Sequence, residues 1–273
     1  MASIEWKQVR VLAAKELRER IRNRWVLAVA LVFAVFALAI AYFGAAQQGE
    51  IGFRGIDATV ASLVSLVTYL VPLIALILGY DAIVGERERG SLDLLLSMPV
   101  TRFEVLLGKY LGLAAALTAS TALGFGAGIL PLAAELTRRD LFHYAGFVFS
   151  AVLMGLAFLS LSMMVSVLAR DRVRASGIAI GLWFFFVLAF DLLLMGVLVA
   201  SGGKLSSTVF AAALMLNPAD VFRLLNIFSV EQVQSMYGLA TVMPANLTNP
   251  AVLLAIMLGW IVLPFIVTTR RFT

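Results

Sequence analysis

Along the chain, apolar positions fall into long unbroken runs, with the charges gathered between them. Six runs, at about 25–44, 60–80, 110–134, 147–169, 176–200 and 251–269, reach the ~20 residues that a helix rising ~1.5 Å per residue needs to cross a hydrocarbon core ~30 Å thick. Only the fifth holds a charge, Asp191. Unpaired backbone in hydrocarbon costs several kcal/mol per group, so all six predict helices. The ten-residue alternating segments of a transmembrane β-barrel are missing. Ahead of the first run, Trp6, Val9, Ala13, Leu17 and Ile21 recur at three- and four-residue steps, while Lys7, Lys15, Arg18 and Arg22 take the other face. That spacing predicts an amphipathic helix lying in the headgroup layer, serving either simply as a topology anchor or as a part of gating. The fold class expected is an all-α integral membrane protein, with residues 1–24 as an interfacial helix and 25–273 as a six-helix transmembrane domain.

Composition supports lipid as the solvent. The chain is 62% hydrophobic and 14% charged with a mean hydropathy of +1.00, against roughly 45–50% apolar and 25% charged for soluble domains. Charge then orients it. With the N-terminus inside, the cytoplasmic segments hold Lys7, Arg10, Lys15, Arg18, Arg20, Arg22 and Arg24, then Arg87, Arg89, Arg102 and Lys109, then Arg170, Arg172 and Arg174, and finally Arg270 and Arg271. Only Arg54, Arg138, Arg139, Lys204 and Arg223 are left outside. Both termini are therefore expected in the cytoplasm. The basic balance lies along one membrane face, so no nucleic-acid partner is needed to explain it and the lipid bilayer itself is the expected neighbour.

Several chemistries are disfavoured. With no cysteine and a single histidine, His143, there is no thiolate or HExxH metal site. Ser201-Gly202-Gly203-Lys204 ends like a phosphate loop, but Leu198 and Leu205 stand where the first glycine and the hydroxyl are needed. No catalytic residue, metal ligand or cofactor is expected in this chain. Ten methionines invite a soft-metal reading, but the one adjacent pair, Met163-Met164, points two ways on a helix, and methionine is more often a core filler.

The last outer connection, about 201–250, carries two helix starts. Asn217-Pro218-Ala219-Asp220 offers a cap, a first-turn proline and an acid; Ser229-Val230-Glu231-Gln232 fits a capping box, with Gly238 as a stop. Its apolar content predicts one or two amphipathic helices that lie on the bilayer or dock a partner. Asp191, costly at a helix centre, is expected to face the bundle interior or a cavity. It reads as a pathway or interface residue, or as a carboxyl satisfied by a neighbouring helix.

The most ordered polar stretch is "GERERGSLDLLLSMPVTRFEVLLGK", between the second and third runs, within a loop placed at about 85–104. Gly90-Ser91 breaks the preceding helix, with Ser91 as the expected cap of a short helix bearing Leu92, Leu94, Leu95 and Leu96. Pro99 favours a second break, and Thr101-Arg102-Phe103-Glu104 is a capping box that starts the third span. Helix, break, short helix, break, helix describes either a knob offered to a cytosolic partner or a connector with none.

This stretch resembles the permease subunits of ABC-2-type transporters, in which an acid, a Gly-Ser/Thr-Leu and a Leu-Leu-x-x-Pro-x-[ST]-Arg lie between spans two and three. Here those are Glu86, Gly90, Ser91, Leu92, Leu95, Leu96, Pro99, Thr101 and Arg102. The basic "AAKELRERIRNRW" and the "LNPADVFRLL" of the last outer loop are also similar to that family, so the likeness runs the length of the chain. It implies a coupling helix here, with Glu86, Arg87, Glu88 and Arg89 as its polar rim, seated against a cytoplasmic ABC ATPase that binds the ATP and Mg. It further implies a second copy of this chain and, within the branch it is most similar to, a periplasmic partner, a bacterial inner-membrane location and service in maturing nitrous-oxide reductase.

Overall fold

A computed structural model describes residues 4–43, 56–130, 137–202, 206–228 and 249–272. The capping box expected at Ser229 and the stop at Gly238 lie outside those residues. Within them the regular structure is helical: α1 (Trp6–Arg22), α2 (Trp25–Phe43), α3 (Ile56–Gly79), α4 (Val84–Glu88), α5 (Ser91–Leu96), α6 (Arg102–Ile129), α7 (Arg138–Leu168), α8 (Arg172–Phe184), a π-helical turn (Phe185–Ala189), α9 (Phe190–Ala200), α10 (Ser207–Leu214), α11 (Pro218–Phe228) and α12 (Pro250–Arg271). Six stretches are long and apolar enough to cross a membrane, α8 to α9 counting as one, so the described residues carry the six spans expected. α6 and α7 begin earlier than the apolar runs because Thr101 and Thr137 each close a capping box, with Glu104 and Asp140. The box at Thr137 had gone unnoticed because its acid is Asp.

α7 is the centre. Buried positions make up 78% of its apolar window, against 11% for α8 to α9, which therefore face outward. The rings of Phe33, Phe125, Phe147 and Phe222 follow one another at 5.0, 5.3 and 6.2 Å, joining α2, α6, α7 and α11. Met163 is fully buried in this core and Met164 packs against it, which is the filler role.

With lipid tails as apolar as leucine, helix association relies on close approach of small residues. α6 supplies them twice. A Cβ on Gly108 or Gly112 would come within 2.6 Å of α1, at Leu12 Cβ and at Ala13 O. One on Gly124 would meet α2 at Phe33 Cβ, 2.6 Å away, and one on Gly128 would collide with Ala37 Cβ. The interfacial helix thus differs from its sequence reading: Val9 and Glu16 are buried against α6, while Trp6 and Ile21 stand exposed. The face expected to meet lipid is only partly apolar, because α6 claims part of it.

The outer connection also departs from expectation. α10 and α11 form a pair bent by 110°. α11 turns one face into the protein: Ala219, Val221 and Phe222 are fully buried in the bundle core. Asn217 caps it, accepting from Ala219 N at 3.0 Å, so the helix start was legible and its burial was not.

Candidate functional site

At the arginine-rich end of the bundle, α4–α5 are tied to α6, to the end of α7 and to the start of α8. The segment is fixed from its first residue. Ile83 N and Val84 N both donate to Ser166 Oγ, at 2.9 and 3.1 Å. Arg87 donates to Ala169 O and Val167 O at 3.1 and 3.3 Å, satisfying carbonyls that the end of α7 leaves open. Glu88 accepts the amide of Arg172 at 2.8 Å, at the start of α8. The Arg172 guanidinium also grips Asp81, at 2.6 Å from Nε and 2.7 Å from Nη2. Glu86, Arg87 and Glu88 thus each bond to a neighbouring element, although Arg87 and Glu88 stay exposed, as Arg89 does.

Glu86 joins a charge cluster of four. Lys109 Nζ lies 2.7 Å from Glu86 and 3.5 Å from Glu16, and Arg20 lies 3.0 Å from Glu16. Lys109 and Glu16 are both buried. Buried like this, an ion pair holds geometry more than it adds stability, but removing one partner is costly. The cluster ties α1, α4 and α6 together, and Glu104 adds a second tie by accepting Glu5 N at 2.7 Å while it caps α6. The sequence marks Lys109 as a cytoplasmic cation and as the last residue of the stretch between spans two and three, without naming its partners. Glu16 lies seven residues after Val9, hence on the same helix face, and that spacing was the available signal.

Gly90 turns the chain at φ +70°, a left-handed conformation that suits glycine, and it stands at the N-cap of α5. Ser91, expected as that cap, is instead the first helical residue, and its hydroxyl donates to Glu86 O at 3.3 Å. α5 has two faces. Leu92 is buried in the bundle core and Leu96 packs against it. Leu95 is half-buried. Leu94 and Met98, one turn apart, are 67% and 52% exposed. Pro99, Thr101 and Arg102 are exposed beside them. The apolar surface offered outward is thus Leu94 with Met98, while Leu92 and Leu96 hold the helix down.

At the opposite end, Asp191 follows the π-helical turn. Arg223 Nη1 lies 2.5 Å from it and 2.8 Å from Asp220, which is buried. Asn217 Nδ2 donates to Phe186 O within the π turn at 2.8 Å and to Asp220 at 2.9 Å. Span five is thereby fastened to α11 at two points. A cavity of about 250 Å³ opens beside this triad, walled by Leu194, Met195, Leu198, Phe210, Leu214 and Leu224. Asp191 thus meets both expectations: it is satisfied by a neighbouring helix and it borders a cavity. The sequence pairs Arg223 with Asp220 three residues before it on α11, but does not show that Asp191 shares the same guanidinium.

Similarity to known proteins agrees with this layout. A probable ABC transporter permease protein NosY from Stutzerimonas stutzeri is 42% identical over 275 residues, covering 97% of this chain and 99% of that protein. Another, from Pseudomonas aeruginosa, is 45% identical over 254 residues, covering 91% and 92%. The family model for ABC-2 family transporter proteins matches residues 10–273, and the chain belongs to that family.

Proposed function

We infer that this chain is the membrane-spanning permease of an ABC transporter that serves maturation of periplasmic nitrous-oxide reductase, where copper–sulfur sites are assembled. The permease is similar in sequence to NosY proteins along nearly its whole length, and that observation carries the reading. An ABC permease works with an ATPase. Here it is a NosF-like subunit that binds ATP and Mg in the cytoplasm of a bacterium whose inner membrane holds the permease. The basic end of the bundle faces that ATPase, in accord with the placement of Lys and Arg. The seat is the segment from Glu86 to Arg102, with Leu94 and Met98 giving apolar contact and Arg89 and Arg102 its charge.

Two copies of this chain form the membrane unit, with a NosD-like periplasmic protein at the outer end. The complex either exports a sulfur species or transmits motion to that periplasmic protein. Asp191, with Arg223 and the cavity beside it, lies where such motion or passage would be controlled. The second reading is an ABC-2 exporter of another substrate, a drug, lipid or polysaccharide; it shares the coupling segment and needs no such partner. Purifying the intact complex from its native membrane separates the two. The expected result is an ATPase, two copies of this chain and a periplasmic protein, with reductase lacking its copper–sulfur sites when the chain is deleted. Fully matured reductase in the deletion strain would contradict the maturation role.

A further inference from the structure

We propose that the outward face of α1 binds the headgroups of anionic phospholipids. Its position sets the depth. Only Asn23 and Arg24 separate α1 from the first span, and Arg24 turns the chain at φ 57°. The inner face of α1 is pressed onto Gly108 and Gly112 near the start of the third span. The helix is thus pinned beside the ends of two membrane-crossing helices, at the level of the headgroups.

Its chemistry names the partner. At 100° per residue, Lys7, Arg10, Lys15, Arg18 and Arg22 fall within one arc of about 140°, and Val11 and Ile21 lie among them. All seven are exposed, Val11 at 63% and Ile21 at 56%. The only acid at the edge of the arc is Glu19, 3.9 Å from Lys15 with both side chains largely in solvent. A recess of about 370 Å³ opens among Val11, Ala14, Lys15, Arg18 and Arg22, with Glu19, paired to Lys15, on its rim. A face turned to water gains nothing from Val11 and Ile21 between cations, and a face turned to acyl chains would not hold five cations. The mixture fits the layer where phosphates meet the first methylenes. From the opposite face, Glu16 reaches Lys109 and through it Glu86, so a lipid that holds α1 also holds the base of the α4–α5 segment.

The chain has no cysteine, so one can be placed at will. A fluorophore on Ala14→Cys, on the outward face, would be followed in the purified complex, assembled with thiol-free partner subunits in lipid nanodiscs. The quenchers are spin-labelled phosphatidylglycerol and spin-labelled phosphatidylcholine, compared at equal amounts. The proposal expects about two-fold stronger quenching by phosphatidylglycerol, fading toward equality near 1 M salt as the Debye length shrinks to ~3 Å. In Lys15→Gln/Arg18→Gln/Arg22→Gln the preference should be lost. Equal quenching by the two lipids at low salt would overturn the proposal, as would a preference that survives the triple substitution. Should that variant fail to accumulate, its unsubstituted parent still decides, because a preference indifferent to salt also overturns the proposal.

Discussion

Lys109 joins three elements at the basic end, holding Glu16 of α1 and Glu86 of α4 from its place on α6. Lys109→Met would strand Glu86, while Glu16 keeps Arg20. The expected loss is about 3–5 kcal/mol, seen as a lower unfolding temperature of the detergent-solubilised protein, with Glu86→Gln in the same chain restoring part of it. At the other end, Arg223→Met strands buried Asp220 as well as Asp191 and should cost about 3 kcal/mol. Asp191→Asn should cost less than about 1 kcal/mol, because the amide oxygen can still accept from Arg223, one charge fewer is held in the span, and Arg223 keeps Asp220. Equal losses from the two variants, by the same measurement, would contradict this geometry. Asp191 was conspicuous in the sequence as a charge in an apolar run, but its partner lies 32 residues on. Helical periodicity reports which residues share a face; it does not report which face meets which, and that is why Arg223 and Lys109 were missed.

Among the elements, the spans and the breaks around α5 were legible because local chemistry decides them: apolar length, Gly90 at positive φ, and the Thr101–Glu104 box. The seat of α11 was not, since an amphipathic pattern is the same whether its apolar side meets lipid or protein. The close approach of α2 to α6 offers a matched test. Gly124→Leu would drive a side chain into Phe33 and Ala30 of α2, whereas a Cβ on Gly126, two residues on, meets nothing within 4 Å. Thermal unfolding in detergent should show Gly124→Leu destabilised by about 1–3 kcal/mol or more by overpacking, with Gly126→Leu near the parent. Gly90→Ala should cost about 1–2 kcal/mol for the left-handed backbone, loosening α5 without disturbing the spans; limited proteolysis at the α4–α5 junction would report it.

For the whole molecule, the two ends of the bundle are built alike. Each holds a short helical segment against the spans by charged side chains, and span five touches both, through Arg172 at one end and Asp191 at the other. The central claim is that the ATPase grips Leu94 and Met98. Its most direct test is co-purification of the ATPase with Leu94→Asp/Met98→Asp, both exposed, one on α5 and one in the turn just after it, in a permease whose unfolding temperature is checked against the parent. The account predicts a folded permease that has lost most of its ATPase. A full complement of ATPase on that variant would contradict it.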